Sequence, residues 1–147
     1  MIYLGADHNG YFLKERIKRT LTRRALPWKD CGDVEYNTDD DYVDFANQVA
    51  GEMRSTDLGI LACGSGHGMV IAANKHSGIR AIMPLDPRSA RDGRHDDHAN
   101  IVVLTAWGMS IQRAEKILMT FLKTKPGSAP RYLRRLNKLK KLDRIRK

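Results

Sequence analysis

Five short apolar segments, most of them followed by a stretch with helical spacing, limit what this chain can fold into more than any other feature. Residues 1–6 (MIYLGA), 57–63 (DLGILAC), 79–83 (IRAIM) and 100–106 (NIVVLTA) are apolar with little alternation. Residues 26–32 (LPWKDCG) are a weaker run, interrupted early by Pro27. Segments this short and apolar on both faces predict strands buried in a parallel sheet. Between them, Phe12, Leu13, Ile17 and Leu21 recur at helical spacing, as do Tyr42, Phe45, Ala46 and Val49. Residues 69–75 predict a short helix, 87–93 open another, and 110–124 form an amphipathic helix capped by Ser110. Residues 125–130 (KPGSAP) end it, and a basic helix closes the chain within 128–147. The predicted fold is α/β: a doubly wound (Rossmann-like) five-stranded parallel sheet with helices on both faces and a C-terminal basic helix. A length of 147 residues suits one domain, 1–147.

Charge and composition narrow the function classes. The formal charge is +9, from 26 Lys and Arg against 17 Asp and Glu. Nine of the basic residues, but only Asp143 among the acids, fall between Arg131 and Lys147, which leaves the body nearly neutral. No aromatic interleaving or nucleic-acid motif accompanies this tail, so a nucleic-acid partner is not expected. Leu133, Leu136, Leu139, Leu142 and Ile145 recur every three residues, a stripe that winds round a helix and can touch both its own body and a second subunit. No apolar run is long enough for a membrane span, and the first ten residues lack a signal-peptide pattern. Two cysteines, Cys31 and Cys63, suit a reducing compartment, and a cytoplasmic location is the expectation.

The chemistry concentrates in residues 62–68, ACGSGHG. Gly64, Gly66 and Gly68 loosely match a dinucleotide fingerprint, with Asp86 as its ribose acid, but Met69 replaces the last glycine and the motif does not follow the first strand. Cys63, His67, His95 and His98 are metal-ligating types without zinc-site spacing. The third option is a reactive thiol. Cys63 stands just before a helix start, where the dipole and free N–H groups favour thiolate, and the glycines let backbone N–H groups approach a substrate oxygen. In parallel sheets ligands bind at the carboxyl ends of strands, so Asp7 and His8 after strand one share a crevice with Cys63 if strands one and three are neighbours.

GADHNGYFLKE (5–15), DYVDFA (41–46), ACGSGHGMVIAANK (62–75), GIRAIMPLDPRSAR (78–91) and RYLRRL (131–136) resemble the type B ribose-5-phosphate isomerase family, which also includes the galactose-6-phosphate isomerase subunits. The resemblance implies an aldose–ketose isomerase of a phosphorylated sugar, without metal or other cofactor, working through a cis-enediolate. It implies Cys63 as the base at C2, Ser65 as the hydroxyl near the ring oxygen, and the backbone of residues 64–68, His67 included, as the oxyanion site. It further implies Asp7 on sugar hydroxyls, His8 on phosphate, Tyr42 along the sugar, Asn100 on substrate, and Arg131 and Arg135 on phosphate. Family members are homodimers or dimers of dimers with shared sites, which gives the tail helix a place at a dimer interface.

The chain departs from the family pattern in three places. Where a stretch like REHNDAN is usual, residues 94–100 read RHDDHAN, so the ring-opening histidine falls on Asp96 with His95 and His98 on either side. Trp107 stands where the family usually has arginine, and His67 where a small or aliphatic residue is usual. Either the enzyme uses a different sugar phosphate, including a four-carbon one that needs no ring opening, or the chain is a binding homologue or one subunit of a heteromeric isomerase.

Overall fold

A computed structural model describes residues 1–145, with side chains through Asp143. Arg146 and Lys147, assigned from sequence to the tail helix, lie outside the described residues, as does the side chain of Ile145. The elements run β1 (Ile2–Ala6), α1 (Tyr11–Arg23), β2 (Trp28–Asp30), α2 (Tyr42–Glu52), β3 (Leu58–Cys63), α3 (His67–Ala73), β4 (Ala81–Ile82), α4 (Pro87–Asp96), β5 (Ile101–Thr105), α5 (Ile111–Lys123) and α6 (Pro130–Ile145). All strands are parallel, in the order β2-β1-β3-β5-β4. The doubly wound fold expected from the alternation is the one observed.

Side-chain alternation divides the core into two layers. Ile60, Ala62, Val102 and Leu104 face α1, α4 and α5, meeting Leu13, Ile17, Ala90, Ile117 and Phe121. Leu61, Cys63, Ile101 and Val103 face α2 and α3, meeting Phe45, Val49, Met69 and Ala73. β3 and β5 are therefore apolar on both faces, which is why they read as continuous runs. Each fully buried aliphatic or aromatic side chain contributes roughly 1.5–3 kcal/mol of burial.

Two local expectations are corrected. The fourth strand is only Ala81–Ile82, because the N–H of Arg80 donates to Asn100 Oδ1 (2.7 Å) and that of Ala81 to Asn74 Oδ1 (2.9 Å), while Pro84 follows closely. Phe12 does not join the buried face of α1; it is 72% exposed and stacks on Tyr36, with ring centroids 5.5 Å apart. The buried face carries Lys14 instead, between Leu13 and Ile17. Lys14 Nζ donates to both oxygens of Asp30 (3.0 and 2.9 Å) and to the Asp33 carbonyl (2.6 Å), pinning the segment after β2 to α1. Ser110 caps α5 as expected, accepting from Arg113 N at 3.3 Å.

α6 packs on its own body through buried Tyr132 and half-buried Leu136, and Asp143 accepts from Gly78 N at 2.9 Å. Leu133, Leu139 and Leu142 remain exposed. No described helix is long and apolar enough to cross a membrane.

Candidate active site

The direction of winding reverses between β1 and β3, which are neighbours, and a crevice opens at their carboxyl ends. Residue 10 has to be glycine for the crevice to form. A Cβ there would lie 2.1 Å from the Ala62 carbonyl oxygen, so α1 can begin directly against β3. This brings the β1–α1 turn onto Cys63. Asp7, 5% exposed, accepts from Gly10 N through Oδ1 (2.8 Å) and from the Cys63 thiol through Oδ2 (2.8 Å).

The thiol pair overturns the expectation of a resting thiolate. Burial, then the hydrogen bond to the Asp7 carboxylate, push the Cys63 pKa up from 9.0 to about 11. The N–H groups of Gly66 and Gly64 point at the sulfur and pull the other way, but they are outweighed. α3 has seven residues and no side-chain cap, so its dipole is small beside a carboxylate in direct contact. Cys63 rests as a thiol whose proton already faces an acceptor.

The glycine loop lies beside this pair. Gly66 has φ +81°, a left-handed conformation that turns the chain from β3 into α3. Ser65 and His67 are exposed. The Tyr42 ring covers Gly68, with Cε2 and Cζ 2.6 Å from where a Cβ would stand, and the Trp107 indole covers Gly64 in the same way. His8 borders the crevice with both ring nitrogens engaged: Nδ1 on Asp40 Oδ1 (2.5 Å) and Nε2 with Asn9 Nδ2 (2.8 Å). The Asp40 hydrogen bond raises the His8 pKa above 6.5 against a smaller opposing effect of burial. Asp40 and Asn9 were not singled out from sequence. Asp40 sits in a run of three aspartates, and nothing in the run marks which one meets a histidine 32 residues earlier.

The other predicted residues gather elsewhere. Asn100, His98, Asp96 and His95 lie at the amino end of β5, below Cys63 by the length of that strand, about 16 Å. Asn100 is buried and its side chain is fully engaged, accepting from Arg80 N and donating to the Gly78 carbonyl (2.9 Å). His98 Nε2 donates to the Gly127 carbonyl (2.8 Å). His95 Nδ1 meets Asp96 Oδ1 at 2.6 Å, and its ring stands edge-on to Tyr132. The His95 hydrogen bond lowers the Asp96 pKa, against an opposing effect of burial and with Tyr132 reinforcing it, so Asp96 stays ionised and holds a proton to donate less often than an ordinary aspartate. Arg131 donates to Tyr132 Oη (2.7 Å), and Arg135, one turn on, is exposed. Asp86, the ribose acid of the dinucleotide alternative, instead caps α4 reciprocally with Ser89.

A buried thiol–carboxylate pair, a glycine loop and a histidine at the switch point of a parallel sheet define a candidate enzyme site for a small polar substrate. The particular family follows from comparison. The ribose/galactose isomerase family model matches residues 2–139, and the chain belongs to that family. The ribose-5-phosphate isomerase B of Mycobacterium tuberculosis is 35% identical over 147 residues, covering 97% of this chain and 90% of that protein. The ribose 5-phosphate isomerase of Thermotoga maritima superposes with a TM-score of 0.89 at 38% identity, covering 95% and 97% of the two chains. The Mycoplasma genitalium enzyme, solved with bound ribulose-5-phosphate, gives 0.92 at 33% identity over 97% and 95%. The protein is a sugar-phosphate isomerase, an intramolecular oxidoreductase that interconverts aldose and ketose phosphates.

Proposed function

We propose that the substrate is ribose 5-phosphate or a close open-chain relative, isomerised through a cis-enediolate with Cys63 as the base at C2. The observation that carries this reading is the 2.8 Å contact between Cys63 Sγ and Asp7 Oδ2. As the substrate enters, Asp7 takes the thiol proton and the thiolate takes the proton on C2. The C2–H electron pair becomes the C1–C2 double bond, and the carbonyl pair moves onto O1. Backbone N–H groups of the 64–68 loop meet that charge, with Ser65 beside them. The O2 proton passes to O1, the thiol returns its proton to C1 as the C2–O2 carbonyl forms, and Asp7 gives its proton back to the sulfur, so the ketose results with no net redox change.

The phosphate is held by His8, oriented by Asp40. Nε2 must donate to an anion, so Asn9 turns its amide when phosphate arrives. Arg131 and Arg135 complete the phosphate site from a second copy of the chain. Within one chain they sit at the opposite end of the sheet from His8, whereas a two-fold dimer can bring the amino end of one copy to the carboxyl end of the other. Charge supports the pairing. Exposed Glu35, Asp39, Asp41 and Asp44 share the 34–44 segment with exposed Val34 and Tyr36, and exposed Arg134, Arg135, Lys138 and Lys141 share α6 with exposed Leu133 and Leu142. Of the three groups offered for ring opening, His95 remains, because His98 Nε2 is engaged by Gly127 and Asp96 is held ionised. Asp96 orients the imidazole, and the partner's site receives it.

The test is a panel of four-, five- and six-carbon sugar phosphates, assayed with wild type and Cys63→Ala. The expected result is conversion of a five-carbon phosphate that the variant loses by about a thousandfold or more. Conversion only after adding a related chain would replace this reading with the heteromeric one.

A further inference from the structure

Trp107 is a large apolar side chain left exposed directly beside the glycine loop. It is 62% exposed, yet its backbone is held tightly: Trp107 N donates to the Gly64 carbonyl (3.1 Å) and Ala106 N to the Cys63 carbonyl (2.8 Å), extending the β3–β5 ladder past Cys63↔Thr105. Gly108, with φ +71°, then turns the chain away. The indole lies flat enough on Gly64 that Cε2 and Cζ2 would be 2.6 and 2.7 Å from a Cβ there. Gly64 is also, with Gly66, one of the two residues whose N–H faces the Cys63 sulfur. Trp28, the other tryptophan, is half-buried and donates its indole N–H to Thr22. Among the described residues, the Trp107 indole N–H donates to nothing.

An exposed π face with a free N–H, fixed one residue from a reactive thiol, has the chemistry of a carbohydrate platform. It offers an apolar surface for C–H groups, one donor for a hydroxyl, and no charge. We infer that Trp107 is a substrate-contacting specificity residue, stacking on the C–H face of the open-chain sugar at its reacting C1–C2 end and excluding water from Cys63. This rests on the proposed site and sharpens it. With an uncharged wall on the Gly64 side, the end of the sugar against Trp107 carries only the uncharged C1 carbonyl and C2 hydroxyl, and the phosphate belongs at the remote end, toward His8. The substrate class is an aldose phosphorylated at its terminal carbon, and a 1-phosphate is excluded. Shielding has its own consequence. A proton carried by Cys63 from C2 to C1 exchanges with solvent only as fast as water reaches the sulfur.

The inference is tested with Trp107→Ala and Trp107→Phe in a Trp28→Phe background. In D2O, Trp107→Ala is expected to raise deuterium incorporation at C1 of the product several-fold and to raise KM about tenfold, while Trp107→Phe stays near wild type in both. A five-carbon alditol 5-phosphate, which has no carbonyl and cannot isomerise, is expected to quench the single remaining indole. Unchanged deuterium incorporation and KM in Trp107→Ala, in an enzyme that otherwise isomerises, would overturn the inference and leave the Cys63 site standing. Absence of any conversion by wild type would overturn the site instead. The fluorescence titration still decides the contact in that case: quenching supports it, and an unresponsive indole at saturating ligand refutes it.

Discussion

The two ends of the sheet are built differently. At the carboxyl end, Asp7 and Cys63 are nearly buried, their hydrogen bond is direct, and the backbone around them is fixed by the close approach of Gly10 to Ala62 and by the left-handed turn at Gly66. At the amino end, Arg131 and Arg135 lie exposed on a helix that, among its described side chains, fully buries only Tyr132, and His95 and Asp96 are bound chiefly to each other. Proton transfer requires sub-ångström placement and therefore a rigid frame. Holding a phosphate tolerates long cationic side chains that settle when the ligand and the second copy arrive. On the proposed reading, one chain thus carries a finished chemical half-site and an anion half-site that a second copy completes.

Mixing variants breaks this comparison most directly. Cys63→Ala destroys the carboxyl-end half and Arg135→Ala damages the amino-end half, so at substrate well below the wild-type KM each homodimer should be strongly impaired. If sites are shared, refolding the two together at equal amounts produces mixed dimers with one intact site, and about a quarter of wild-type activity returns. No recovery would mean that each copy builds its site alone. The Asp7–Cys63 pair gives the next largest effect. Asp7→Asn should lower kcat about a hundredfold. It removes the carboxylate that helps raise the thiol pKa, so alkylation of Cys63 by iodoacetamide at neutral pH should become faster, as read by peptide mass. Slower or unchanged alkylation would show that burial alone keeps the thiol protonated. Arg135→Ala alone should raise KM about tenfold or more with a smaller change in kcat, the signature of a lost charge-assisted contact to phosphate.

Much of the carboxyl end was legible in the sequence, and the reasons are local. The buried strands announce themselves as apolar runs, and glycine is needed at 66 for a backbone conformation other residues resist. The adjacency of β1 and β3 was a condition there, and the register Ala6↔Ala62 meets it. What stayed hidden depends on contacts between distant segments. The direction of the Cys63 pKa is decided by Asp7, 56 residues earlier, and by burial; the helix start, which is visible in sequence, loses to both. Asp40 could not be told from Asp39 and Asp41, and Phe12 reads as core because helical spacing cannot reveal that Tyr36 will stack on it outside. At the amino end, RHDDHAN shows that imidazole and carboxylate have changed places. Only the structure shows that His98 is tied to Gly127 and that His95 and Asp96 meet each other.

The smallest predicted effect tests whether His8 belongs functionally to the rigid half. The Asp40 hydrogen bond raises its pKa, so the imidazolium persists to higher pH than an ordinary histidine and is lost as pH rises through the raised value. A sugar phosphate completes its second ionisation near pH 6, so binding should be tightest between that point and the His8 pKa, with KM climbing beyond it. Asp40→Asn removes the main cause of the shift. Its alkaline limb in log KM should move to lower pH, and at pH 7.5 KM should rise by about two- to fivefold, with the difference shrinking as the pH falls and His8 becomes protonated in both proteins. NMR titration of the His8 ring should show the same displacement. If the limb stays in place, the group that senses pH is not His8, and the phosphate is held by the arginines of the second copy alone.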